Sequence, residues 1–324
     1  MKKIFLMLLT GLLLVSCNSN EPTNSDDSTV LDENFDICSV MEDLDFKEYC
    51  LKNFDTDGNG KLSLTEGKSV TRIDVSGTVE NNMKTGTIKS LKGIEYFPNL
   101  NTLKCNYNQI RTLDVSANIL LDTLWCHYNQ LTSLNVSKNL ALTQLYCYEN
   151  KLSSLDVSNN TALKKLWCSA DQLTSLEVSK NTTLTYLNCR SNQLTSLDVS
   201  NNTALDTLWC YSNQLTSLNV SGCTALRHLN CYSNKLSILD LSKNTALMVL
   251  FCPSNQLTFL DVSSNVALMG LCCLSNQLTS LDVSNNMALT YLDCTENPLA
   301  TLYMKTEQTI ENLSTPNETN IVYK

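Results

Sequence analysis

Histidine is nearly missing from this chain: among 324 residues only His127 and His228 occur. General-base and nucleophilic catalysis most often rests on an imidazole held against a partner, so the scarcity already weighs against an enzyme. Basic residues are also few, 23 Lys and Arg against 32 Asp and Glu, for a formal net charge of -9. A chain with no basic stripe cannot displace counterions from phosphates, which argues against nucleic acid and, equally, against anionic membrane surfaces as partners. A glycine-rich phosphate loop is absent too. So is a membrane-length apolar run: Met1 to Val15 carries two lysines and about a dozen mostly apolar residues, short of the roughly 20 that a spanning helix needs.

Cysteine, by contrast, is abundant, with fifteen in the chain. Ten of them, from Cys105 and Cys126 through to Cys294, recur every 21 residues without a slip. Self-similarity at such a period marks a stacked solenoid rather than a globular core. The frame around each cysteine reads Leu121-x-x-Leu124-x-Cys126-x-x-Asn129-x-Leu131-x-x-Leu134-x-Val136-x-x-Asn139. It divides into ten residues, LxxLxCxxNx, and eleven, LxxLxVxxNxx, both built on L-x-x-L-x-apolar-x-x-N. In neighbouring parallel strands about 4.8 Å apart the Cβ vectors run side by side, beyond the roughly 3.5–4.5 Å that a disulfide needs. The thiols are therefore expected inside, reduced, as small apolar core residues; a ladder holding soft metal ions is the alternative.

This nested frame resembles the 21-residue bacterial leucine-rich repeats whose second half reads LxxLDL, sometimes called the IRREKO class. The resemblance covers about residues 88–303 and implies a leucine-rich-repeat solenoid of parallel β coils, about ten repeats. One parallel sheet would line the concave side, with short strands or extended turns opposite. Asn108, Asn129, Asn150 and their successors should stack and satisfy backbone groups at the bend. Asp171 interrupts that column and Cys223 the second one.

Before the repeats, Leu14-Val15-Ser16-Cys17 resembles the lipobox of bacterial lipoproteins, which implies cleavage before Cys17 and lipidation of it. Residues 1–16 then form a lipoprotein signal peptide and 17–34 a polar tether that cannot bury enough apolar area to fold. Asn18, by resemblance to enterobacterial sorting, favours the outer membrane, and the whole looks like surface lipoproteins of Bacteroidetes. Residues 35–87 form an amino-terminal cap. Within it, apolar residues from Phe35 to Phe54 fall at helical spacing, with Asp45 as the expected cap. The stretch Asp55-Thr56-Asp57-Gly58-Asn59-Gly60-Lys61-Leu62-Ser63-Leu64-Thr65-Glu66 resembles an EF-hand calcium loop. That implies calcium held by Asp55, Asp57, Asn59, the Lys61 carbonyl, Ser63 through water, and Glu66, with Leu62 plugging into the core. A second such loop is absent, so weak, structural binding at extracellular calcium is the natural regime. Ile73-Asp74-Val75-Ser76 looks like an early second half-frame, and Ile88-x-x-Leu91-x-x-Ile94-x-x-Phe97-x-x-Leu100 leads into the array. Residues 304–324, with Ile321-Val322-Tyr323 as a last strand, should cap the far end.

Function, on this reading, sits on the concave face. The outward position between leucine and cysteine reads Lys104, Trp125, Tyr146, Trp167, Asn188, Trp209, Asn230, Phe251, Cys272, Asp293, and holds every tryptophan of the chain. Adjacent outward columns add Tyr148, Tyr186, Tyr211 and Tyr232, with His127, His228 and Arg190. Large rigid rings on a surface are characteristic of binding hot spots, so Trp125, Tyr146, Tyr148, Trp167, Tyr186, Trp209, Tyr211, Tyr232 and Phe251 are the candidate ligand residues. A column of aromatics can also stabilise a sheet by pairing across strands. The opposite face presents Asp114, Asn135, Asp156, Glu177 and further acids, read as a solvated ladder with weak cation binding as the alternative. Strand alternation turns His127 out and Cys126 in, so they cannot form a nucleophile and base, and His228 lies five coils, about 24 Å, away. The expectation is a non-enzymatic surface lipoprotein that binds an extracellular protein, with glycan capture or a purely structural spacer as alternatives.

Overall fold

A computed structural model describes residues 34–80 and 83–324. The leader and Cys17 lie outside the described residues. Every 21 residues the chain completes one turn of a parallel β solenoid of about 11 turns. One sheet of twelve parallel strands runs from Arg72–Asp74 (β1) through Thr102–Lys104 and Thr123–Trp125 to Asn312–Ser314. Its register is the repeat itself: Leu103 pairs with Leu124, Leu124 with Leu145, and Lys104 with Trp125. The opposite face has only short ladders, Ser196–Asp198 with Ser217–Asn219, and Ser280–Asp282 with Thr301–Met304 and Asn320–Tyr323. That last strand contains the expected Ile321-Val322-Tyr323.

Alternation within each three-residue strand turns the middle leucine inward, and the cysteine two positions later follows it. Leu124, Cys126, Leu131 and Val136 are all fully buried, as are their counterparts in most coils. Each such leucine contributes roughly 1.5–3 kcal/mol of burial relative to exposure. The fourteen described cysteines are free and buried. Burial lifts their thiols, Cys231 to about 12, so they remain protonated packing groups.

Two asparagine columns tie coil to coil. In the first, Asn129 Nδ2 donates to Cys126 O and to Cys105 O one coil back, both at 3.0 Å, while its Oδ1 accepts from the Ile110 N–H at 3.0 Å. In the second, Asn139 Nδ2 donates to Val115 O and Asn118 O, each at 2.9 Å. The residue before each first-column position, from Tyr107 to Glu296, holds a left-handed φ of 51–58°, although none of the ten is glycine. Side chains in that region cost about 1–2 kcal/mol each, and the ladder bonds that follow fix the turn against it. Where Cys223 replaces an asparagine, its thiol donates to Val199 O at 3.1 Å. Gly222 permits the close approach there, since a Cβ would meet Ser200 O at 1.6 Å. At the carboxyl end Gln308, one residue out of frame, supplies the missing amide: Nε2 reaches Val283 O and Asn286 O at 3.0 and 2.8 Å.

The amino-terminal end departs from the sequence reading in two places. Helix α1, Leu44–Phe54, is capped by Asp43, whose side chain accepts from Asp45 N and Phe46 N. Asp45 instead accepts from the Thr87 hydroxyl. The segment at Ile73 stands in the first-half column, not the second: Ile73 pairs with Leu103, and Val75 O takes the Asn108 amide at 2.8 Å. That bond spans 33 residues where other coils span 24, because this coil holds a nine-residue insertion with the small hairpin Val79–Glu80 and Met83–Lys84. A short helix α2, Leu64–Ser69, follows the acidic loop, and Phe46, Cys50 and Leu62 seal the first coil. Among the described residues no helix is long and apolar enough to cross a membrane.

Candidate functional sites

The long sheet carries the aromatic side chains outward, but they do not stand free. Trp125 stacks on Tyr146 with centroids 5.4 Å apart, Tyr146 meets Trp167 edge-on at 6.0 Å, Trp167 meets Tyr186 at 6.3 Å, and Tyr186 meets Trp209 at 5.8 Å. In the neighbouring column His127 stacks on Tyr148 at 4.4 Å and Tyr148 on Trp167 at 4.3 Å. The spacing between coils matches ring-to-ring contact, so identical positions in successive coils pair by default. Six of the candidate residues thus form one connected run of half-buried rings. Lys104 Nζ caps it, 3.6 Å from the Trp125 centroid. Tyr211 and Tyr232 form a separate stack at 4.8 Å beside Arg190, whose guanidinium hydrogen-bonds the Tyr211 hydroxyl. Phe251 stands apart, 38 % exposed.

Three outward positions are more covered than strand alternation suggests. His127 and Asn188 are buried, the first beneath stacked rings, and burial lowers the His127 imidazole to about 4, so it is neutral. Cys272, between Phe251 and Asp293 in the sheet, is buried as well. Tyr107 and Tyr128, stacked at 4.6 Å, also belong to this surface, with Tyr107 edge-on to His127, although they are not among the candidate residues. No periodic signal marked them, since the same position holds glutamate, alanine or serine in the other coils. Beyond Trp209 the run ends at Asn230, and a depression of about 470 Å³ opens there, lined by Tyr186, Trp209, His228, Val249 and Phe251. Asp206 flanks it, 3.8 Å from His228 Nδ1 and 3.7 Å from Arg227.

The acidic loop is the second candidate. Carboxylate oxygens of Asp55, Asp57 and Glu66 lie within 4.8 Å of one another. Oxygens on opposite sides of a calcium ion, each about 2.4 Å from it, are separated by about that distance. Gly58 and Gly60 hold φ of +70° and +79°, which turns the loop sharply, and Asp55 accepts from Gly60 N at 2.8 Å. Asn59 Oδ1 accepts from Lys61 N at 2.8 Å. Glu66 closes a capping box with Ser63 and accepts from Thr56. Burial raises its pKa, but the Ser63 and Thr56 bonds together outweigh it and hold the carboxyl at about 2. The donor set and the turn fit a hard divalent cation.

On the opposite face each acid is engaged by its own backbone. Asp114, Asp156, Glu177, Asp198 and Asp240 all accept from the amide two residues on, at 2.7–2.9 Å. These bonds keep the carboxyls ionised, below their ordinary range.

The fold is a leucine-rich-repeat solenoid. No family model and no curated protein sequence matches the chain. Among solved structures it is similar to the functional domain of InlJ from Listeria monocytogenes, described as including a cysteine ladder, at 29 % identity and TM-score 0.67 over 88 % of this chain and 71 % of that one. It also resembles the internalin InlF of the same organism, at 24 % identity and TM-score 0.71 over 88 % of this chain and 92 % of that one. A leucine-rich-repeat protein of Leptospira interrogans matches at 20 % identity and TM-score 0.54, over 71 % and 69 % of the two chains.

Proposed function

We propose that this chain is a non-enzymatic binding module held at a bacterial surface by a lipid on Cys17, and that it engages an extracellular protein through the long sheet face. Leucine-rich-repeat proteins generally mediate protein–protein interaction. The observation that carries the reading is the connected run of half-exposed rings from Trp125 to Trp209, ending in the depression beside Phe251. Rigid rings with polar rims lose little entropy on docking and supply the contact energy of hot spots. Mutual stacking occupies many of the ring faces that a sugar would need, which favours a protein over a glycan. The test is a screen of the chain against arrays of extracellular proteins and glycans, followed by Phe251→Ala and Trp209→Ala. Loss of a protein hit in both variants at unchanged circular dichroism supports the face, whereas full retention in both overturns it.

Calcium in the Asp55–Glu66 loop is the second part of the proposal. Asp55, Asp57, Asn59, Glu66, the Lys61 carbonyl and, through water, Ser63 would hold it, and the ion would neutralise the clustered carboxylates and fix the cap. At free calcium ten times its Kd such an ion stabilises by roughly 1.4 kcal/mol. Calorimetry with millimolar calcium should give heat for the parent chain and none for Asp55→Ala. No heat from the parent rules the site out.

A further inference from the structure

The first asparagine column contains one carboxyl, Asp171, which neither the sheet face nor the acidic loop uses. Around it the amides do two jobs. Asn150 Nδ2 donates to Cys147 O at 2.8 Å and Cys126 O at 3.1 Å, and Asn192 Nδ2 to Cys189 O at 3.1 Å and Cys168 O at 2.9 Å. The amide oxygen of Asn192 accepts from Leu173 N, nineteen residues back, at 3.1 Å. Asp171 keeps this second job, since its Oδ1 accepts from Leu152 N at 3.1 Å and from Asn150 N at 3.2 Å. Its Oδ2 stands where the donating NH2 group belongs. That atom is shut off from solvent and has no hydrogen-bond partner among the described residues. By the column's own geometry the groups before it are the carbonyls of Cys168 and Cys147, three and twenty-four residues back. An ionised oxygen against two carbonyl oxygens is repulsive and unsolvated, whereas a carboxylic acid O–H there restores the missing donor.

We propose that Asp171 stands in the ladder as a protonated carboxylic acid whose Oδ2–H replaces the asparagine amide, and that ionising it loosens the coil that carries Trp167.

Burial pushes the Asp171 carboxyl up to about 7 against the downward pull of the Leu152 and Asn150 amides, and Glu149 adds a further upward push. The other titratable groups coupled to it are the thiols of Cys126, Cys147 and Cys168, which burial keeps neutral. No ion pair reaches it among the described residues. Because the folded value lies above the unfolded one of about 3.9, the bond stabilises fully below about pH 4 and is lost as pH rises toward 7. The opening equilibrium of this coil changes by about tenfold per pH unit between those limits and levels off above. The coil lies in the middle of the aromatic run, with Trp167 Nε1 bound to Ser169 Oγ at 2.6 Å, so the latch belongs to the same coil as a ring of the proposed binding face, four residues after it.

Asn is the column's own residue, so Asp171→Asn should fold. Amide exchange at Asn150 and Leu152 in the full chain, corrected for intrinsic rates, is the readout. Between pH 5 and pH 7 the parent should lose protection by up to about a hundredfold, and Asp171→Asn should lose none. A carboxyl carbon titration should place Asp171 above pH 6. Parallel pH profiles in parent and variant, or a carboxyl titrating below pH 5, as for a buried cation salt, overturns the proposal.

Discussion

On the long sheet face Trp167 touches Tyr146, Tyr148 and Tyr186, side chain against side chain. On the opposite face Asp198 accepts from its own Ser200 amide at 2.9 Å. Both grow from the same L-x-x-L-x-apolar-x-x-N half-frame and bury the same leucines. The difference is where the outward groups find partners. Side chains on the opposite face are bound locally by the backbone and hold a turn, so that surface repeats with little variation. On the long face they are bound to the coil before and the coil after. Its pattern therefore changes along the stack, from rings to the Asn230 gap and on to Phe251. A surface whose chemistry varies along its length can encode a partner; a uniform one cannot.

Single truncations separate the faces by size. Trp167→Ala removes three ring contacts, each worth about 0.5–1.5 kcal/mol, and should destabilise by roughly 2–3 kcal/mol in denaturant unfolding. Asp198→Ala removes one exposed turn bond and should cost about 0.5 kcal/mol. Equal losses would mean that the two faces do not differ in the way described. A gain follows from the left-handed column: Ser254, with φ 51°, becomes less strained as glycine. Ser254→Gly should raise stability by about 0.5–1 kcal/mol after the offset from the freer unfolded chain. A further effect comes from acid. Glu66 is held at about 2 in the folded chain, below its unfolded value of about 4.3, so its contribution is present above pH 4.3 and fades as pH falls toward 2. Helical circular dichroism of the cap without calcium should decline in that window, and Glu66→Gln should remove the dependence. Asp171 works in the opposite direction at higher pH, which keeps the two titrations distinct.

Most of the solenoid could be read from the residues because a 21-residue period fixes register: once Cys105 and Cys126 align, every inward leucine does. The asparagine columns were legible for the same reason, as buried amides at a bend have few other roles. Where the period fails, so does the reading. Ile73 seemed to belong to the second half-frame because the nine-residue insertion after it hides its distance from Asn108. Asp43 rather than Asp45 caps α1 because the helix begins at Leu44, which puts Asp45 inside its first turn. The candidate ring residues were found by their column, yet their stacking was not, since ring orientation depends on neighbours one coil away on both sides. Gln308 was invisible as a ladder member because it lies one place off frame.

The most direct test is a hydrogen-exchange footprint of the chain with a protein partner bound. Protection is expected on the long-sheet strands Thr207–Trp209, His228–Asn230 and Val249–Phe251, with Ser196–Asp198 and Ser217–Asn219 opposite left unchanged. Protection confined to that opposite pair would contradict the account.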